Sequence, residues 1–190
     1  MKHTAQLLAG IALMAGCSGE PITTESNAHF QLQAAASESF GSDVNAQLAA
    51  LRQVTASFQQ FENGSHAGWS TQITPCMTDP GGLGGMGFHY GKTNLIDGTA
   101  RVETPQLLLY EPEKNGRLRL VAVEYIIPYS FHSRDAVAPR LFDQPFEQVD
   151  AFGVWGLHAW VWKDNPRGMF AAWNPTVNCD NTTAVSAMVH

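Results

Sequence analysis

From Val44 onward, apolar residues recur at spacings of three and four: Val44, Leu48, Leu51, Val54, Phe58 and Phe61 fall on one stripe of a helix. Asp43 precedes them as a predicted N-cap, and Asn63-Gly64 supplies a left-handed stop. The spacing therefore predicts one amphipathic helix over 43–64. Beyond it the period changes. Leu107 to Tyr110 and Leu118 to Ile127 are apolar runs of strand length, and Asn115-Gly116 between them is a hairpin turn signal. A third strand is predicted over Leu157 to Trp162. A fourth follows over Gly168 to Trp173, after a turn at Asp164-Asn165-Pro166-Arg167-Gly168 in which Pro166 fixes φ. The loop from Asp79 to Gly87 is too glycine-rich to hold regular structure alone. It lacks the Lys-Ser/Thr pair and the following helix of a phosphate loop. Its glycines read instead as close backbone packing that delivers Phe88-His89-Tyr90 to a defined place. No internal repeat is present. One amphipathic helix packed on a curved, mainly antiparallel β-sheet makes a single α+β domain.

The 190 residues are 44% apolar and 15% charged, which suits one domain with a real core. A net charge of -6, with no run of Lys or Arg, argues against nucleic acid and against electrostatic docking on anionic lipid. The N-terminus carries Lys2 and then the apolar run LLAGIALMAG, too short to span a bilayer and suited to a signal peptide over residues 1–16. Met14-Ala15-Gly16-Cys17 resembles the lipobox of bacterial lipoproteins, with methionine in place of the usual leucine. That resemblance implies a lipidated Cys17 and a protein exported and anchored by lipid to the bacterial cell envelope. Ser18 is compatible with sorting to an outer membrane, facing the periplasm, in an organism that has one. An ordinary cleaved signal peptide is the alternative. Ser, Thr, Glu, Gln, Asn and Ala dominate as far as Ser42, which reads as a tether over 17–42. The domain then covers 43–180 and a C-terminal tail 181–190.

With Cys17 acylated, Cys76 and Cys179 remain, and an oxidising compartment leaves them one intramolecular pairing. A bridge there closes about a hundred residues, for which chain entropy gives roughly 4–5 kcal/mol. Two buried free thiols are the alternative. Taken in order, the runs GFHYGKTNLIDG, LLLYEP, LRLVAVEY, PRLFDQPF and LHAWVWKDNPRGMFAAWNPTVNC resemble a family of small exported bacterial proteins over roughly residues 55 to 179. The resemblance implies a shared fold and a shared Cys76 to Cys179 frame, and it carries no activity. Members of that family often have a histidine after the phenylalanine of LFxxPF, where this chain has Glu147.

Strand alternation then selects candidate chemistry. In Leu157 to Trp162, His158, Trp160 and Trp162 share one face; in Val121 to Ile127, Glu124 shares its face with Ala122 and Ile126. A carboxylate on a face suited to burial needs a cation, a donor or a metal. His89, Glu124 and His158 are therefore the candidate ligands of a divalent metal, zinc or copper before calcium because imidazole dominates. A catalytic version of this site would use metal-bound water or a carboxylate base on a small envelope metabolite. Tyr90 is a candidate hydrogen-bond donor or outer ligand, and Glu103 or Glu147 a candidate partner for an imidazole N–H. His66 is a weak fourth ligand, whereas His29, His132 and His190 lie in tether, loop and terminus and receive no role.

A purely structural polar cluster remains the competing reading of the trio. A GxSxG elbow is missing, and pairing of Cys76 with Cys179 leaves no nucleophilic thiol. No carboxylate pair stands out for glycoside hydrolysis. Trp155, Trp160, Trp162 and Trp173 would suit either sheet core or a platform that stacks on a glycan or another small molecule. The remaining alternative is a non-enzymatic envelope protein that acts through a protein partner.

Overall fold

The computed structural model describes residues 39–182. The predicted signal peptide 1–16, the lipidation residue Cys17, the tether as far as residue 38 and the tail from residue 183 lie outside them.

Helix α1 runs from Ser42 to Thr55 and buries Val44, Leu48 and Leu51 of the predicted stripe, whereas Val54 is exposed. Its cap position is Gly41 with no side-chain cap, so Asp43 falls in the first turn instead, where a negative charge still suits the helix dipole. The helix also stops short of Asn63. A 3₁₀ turn follows over Ala56–Gln59, Gln60 is extended, and the short helix α2 covers Phe61–His66. Long-range bonds account for this interruption. Thr55 Oγ1 donates to the Leu51 carbonyl at 2.7 Å and accepts from Trp162 Nε1 at 3.0 Å. Tyr110 donates its hydroxyl to the Phe58 carbonyl at 2.9 Å, and Gln60 bridges to Arg119. Gly64, the predicted stop, is buried inside α2, where the Tyr110 hydroxyl occupies the place of a Cβ.

The strands are β1 (Thr71–Thr78), β2 (Gly85–Gly91), β3 (Leu107–Pro112), β4 (Leu118–Pro128), β5 (Arg140–Leu141), β6 (Gln144–Pro145), β7 (Glu147–Val149) and β8 (Val154–Ala159). Six form one antiparallel sheet in the order β1-β2-β3-β4-β8-β7, and β5 pairs with β6 apart from it. Helix and curled antiparallel sheet make the α+β domain that the spacing predicts, and Cys76 and Cys179 are bonded.

The β3–β4 hairpin lies where Asn115-Gly116 places it, with Gly116 at φ 80°. Two other strand expectations are corrected. The third strand is shifted to Val154–Ala159, so Trp160 to Trp162 lie beyond its end. No strand forms over Gly168–Trp173, because side-chain and turn bonds have taken the backbone groups a ladder would use. Asn165 Nδ2 donates to the Trp173 carbonyl at 3.1 Å, and the Gly168 N–H donates to the Asn165 carbonyl at 2.9 Å. Asn174, fully buried, exchanges backbone bonds with Gly85 at 3.0 and 3.1 Å.

Strand β2 begins inside the glycine run, and Gly84, Gly85 and Gly87 serve the close backbone packing expected of it, whereas Gly82 faces open space. At Gly87, φ is 84° and a Cβ would collide with the backbone carbonyl of Tyr110 on β3. The sheet has an apolar core on each face. One contains Val44, Leu48 and Leu51 of α1 with Phe88, Leu108, Val123, Tyr125 and Leu157; the other contains Leu107, Leu109, Val121, Ala122, Ile126, Trp160 and Val177. A bulge on β4 places both Val121 and Ala122 on the second face, since Leu109 pairs with Ala122 and Tyr110 with Leu120.

These contacts predict unequal costs for two glycines that both have positive φ. Gly82→Ala meets open space and costs about 1–2 kcal/mol, the penalty of a left-handed alanine. Gly87→Ala adds a backbone collision and costs about 3 kcal/mol or more. Urea unfolding midpoints of the two variants check the order.

Candidate metal centre

Three strands deliver the candidate ligands to the second face. Glu124 lies directly opposite His158 in the β4–β8 pair. His89 lies opposite Leu109, and Leu109 opposite Ala122, so His89 stands two strands away from Glu124 and its side chain reaches over β3. The side chains converge. His89 Nε2 is 3.5 Å from Glu124 Oε2, and His158 Nε2 is 3.9 Å from Glu124 Oε1. One donor atom from each residue lies within 4.8 Å of the others, so this cluster could hold a metal ion. Bonds of about 2.0–2.1 Å to a tetrahedral ion put donors about 3.3 Å apart, so the widest separation has to close by up to roughly 1.5 Å.

Burial sets the protonation of the group. His89 is 3% exposed, His158 6% and Glu124 7%. Desolvation pushes the Glu124 carboxyl up to about 8. It pushes His89 down to about 4, against a hydrogen bond to the Gly87 backbone that acts the other way. Desolvation first, and then the nearby His89 charge, lower His158 to about 3. At neutral pH the trio therefore comprises one protonated carboxyl and two uncharged imidazoles. Its separations of 3.5 and 3.9 Å describe neighbours, not an ion pair. His158 Nε2 is buried and has no hydrogen-bond partner among the described residues.

The surroundings only partly match expectation. Trp160 lies nearly parallel to the His158 ring, at 11° and 6.1 Å between centroids, as the shared face predicts. Trp162 does not join it. The strand ends at Ala159, Val161 N–H turns back to the Ala159 carbonyl at 3.0 Å, and Trp162 packs on the first core with its Nε1 on Thr55. Tyr90 is corrected for a simpler reason: it is adjacent to His89 in the strand and faces the other side, where it packs on Phe61 and Tyr110. Glu103, Glu147 and His66 are exposed, and none belongs to the cluster. The Trp155 and Trp160 rings are buried, with Nε1 groups bonded to the His132 and Ala171 carbonyls, so both serve as core.

Sequence reasoning missed two residues around the site. Thr74, opposite His89 on β1, places Oγ1 2.7 Å from His89 Nδ1. Gly156 leaves the space beside the carboxylate, since a Cβ there would be 3.1 Å from Glu124 Oε1. The β-branched residues Thr71, Ile73 and Thr74 were the available signal for β1, and Pro75 obscured it.

A pH dependence follows for the metal-free protein. Raised in the fold, Glu124 contributes stability that is present below its unfolded value near 4.5 and is lost as pH rises through about 8. The lowered histidines contribute stability present above 6.5 and lost as pH falls through about 4 and 3. Between pH 6.5 and 9 the Glu124 loss outweighs the last of the histidine gain, so chelator-treated protein loses stability on the order of 1 kcal/mol across that interval. Glu124→Gln flattens the loss. Denaturant titrations at pH 6.5 and 9 measure both.

Comparison of the chain with protein-family models, curated proteins and solved structures gives no match, so the site stands on its own geometry.

Proposed function

We propose that the domain is a divalent-metal-binding module, with His89 Nε2, His158 Nε2 and a Glu124 oxygen as ligands and zinc or copper as the ion. The observation that carries this reading is the unpartnered His158 Nε2, buried and close to Glu124. Buried polar atoms almost always have a hydrogen-bond partner, and a purely structural cluster would close its own bonds. Two imidazoles favour zinc or copper over calcium, which takes six to eight oxygen ligands. A single carboxylate leaves a bound dication with one positive charge, and three protein ligands leave a position for water or a small anion.

We further propose that the module is exported and held at the cell envelope through lipid on Cys17. The Met14-Ala15-Gly16-Cys17 pattern and the bonded Cys76–Cys179 pair, which suits an oxidising compartment, support that reading.

Chain purified from an oxidising compartment should contain about one equivalent of zinc or copper by elemental analysis, and chelation should lower its melting temperature. Glu124→Ala and His158→Ala should each lose the ion while circular dichroism stays that of a folded protein. Absence of stoichiometric metal, with no thermal shift on adding zinc or copper, would contradict the proposal. For the anchor, labelled palmitate should enter the wild-type chain in a bacterial host and fail to enter Cys17→Ser.

A further inference from the structure

The two imidazoles of the trio are not held alike. His158 meets a tryptophan face and has a partnerless Nε2. His89 is gripped at its far nitrogen, since Nδ1 lies 2.7 Å from Thr74 Oγ1, and Thr74 is itself only 7% exposed. A neutral imidazole has one N–H and one lone pair, and whatever engages one nitrogen decides what the other can offer. If Nδ1 carries the proton, Nε2 presents a lone pair towards Glu124. If Nε2 carries it, the lone pair points at Thr74 and the ring cannot bind an ion between the strands.

The position of the ring between Thr74 and Glu124 favours the first arrangement: an ion held by Nε2 together with Glu124 and His158 leaves the ring proton on Nδ1, 2.7 Å from a hydroxyl oxygen that can accept it.

We infer that Thr74 is a positioning residue of this site: it accepts the Nδ1–H of His89 and so fixes the tautomer that aims the Nε2 lone pair at the point shared with Glu124 and His158. The inference rests on the metal reading for its consequence, but the tautomer itself is a property of the metal-free chain. Outer partners of this kind typically change metal affinity by 10- to 100-fold.

The test uses ¹⁵N-histidine-labelled, full-length protein, wild type and the Thr74→Val and Thr74→Ser variants. Long-range ¹H–¹⁵N spectra of metal-free samples report the His89 tautomer, and zinc titration reports affinity. Wild type and Thr74→Ser should show His89 protonated at Nδ1. Thr74→Val, nearly the same in volume, should lose that pattern and bind zinc at least about tenfold more weakly. An unchanged tautomer in Thr74→Val, or an Nε2–H form in the wild type, overturns the inference. So does zinc affinity within twofold of wild type in Thr74→Val. Failure of the wild type to take up zinc overturns the metal reading, and the spectra then decide the Thr74 assignment by themselves. If Thr74→Val does not fold, Thr74→Ala and the wild-type spectrum provide the same decision.

Discussion

Glu124 lies in the interior of β4, a strand flanked by β3 and β8 and covered by an apolar core on each face. A carboxyl in that position has given up bulk water, and an ionised form there is disfavoured until a proton or a cation accompanies it. The neighbouring architecture answers that requirement. His158 stands opposite on β8, His89 reaches across from β2, and Gly156 leaves open the volume that Glu124 Oε1 borders. Each histidine is also driven towards its uncharged form by the burial that keeps the carboxyl neutral. The result is two uncharged imidazoles able to ligate and one carboxyl that would release its proton as an ion binds, without a permanent positive charge already among them.

The fold delivers these donors through strand register. The bulge at Val121 sets which residues of β4 face the second core, and from there alternation brings Glu124 to the same side as Ala122 and Ile126. Gly87 lets β2 pass so close to the Tyr110 carbonyl that a side chain would collide, and His89 follows two residues later. The C-terminal segment packs Val177 into the second core, exchanges backbone bonds between Asn174 and Gly85, and ends in the Cys179 bond to β1. Cys76 and Thr74, whose hydroxyl reaches His89, lie on the same strand.

Much of this arrangement was legible in the chain. The periodicity from Val44 to Leu51 shows the buried helix face, Asn115-Gly116 shows the hairpin, and alternation puts Glu124 and His158 on faces that could meet. What local pattern could not carry were the long-range bonds. Nothing near Thr55 announces that Trp162 and Tyr110 will draw the chain out of its helix. The run Gly168 to Trp173 has strand-like residues, but Asn165 and Asn174 spend its neighbouring backbone groups in turns. Thr74 was hidden because β1 contains Pro75 and an irregular register, so its pairing with His89 is a property of the folded sheet. The early end of β8 likewise separates Trp162 from Trp160, although strict alternation would keep them together.

The central claim is that three side chains from three strands share one ion. Anomalous diffraction from zinc-loaded crystals tests it most directly. The account predicts a single strong peak about 2 Å from His89 Nε2, His158 Nε2 and a Glu124 carboxylate oxygen. Zinc found only at exposed sites, with the trio unchanged and His158 Nε2 hydrogen-bonded to an ordered water, would contradict it.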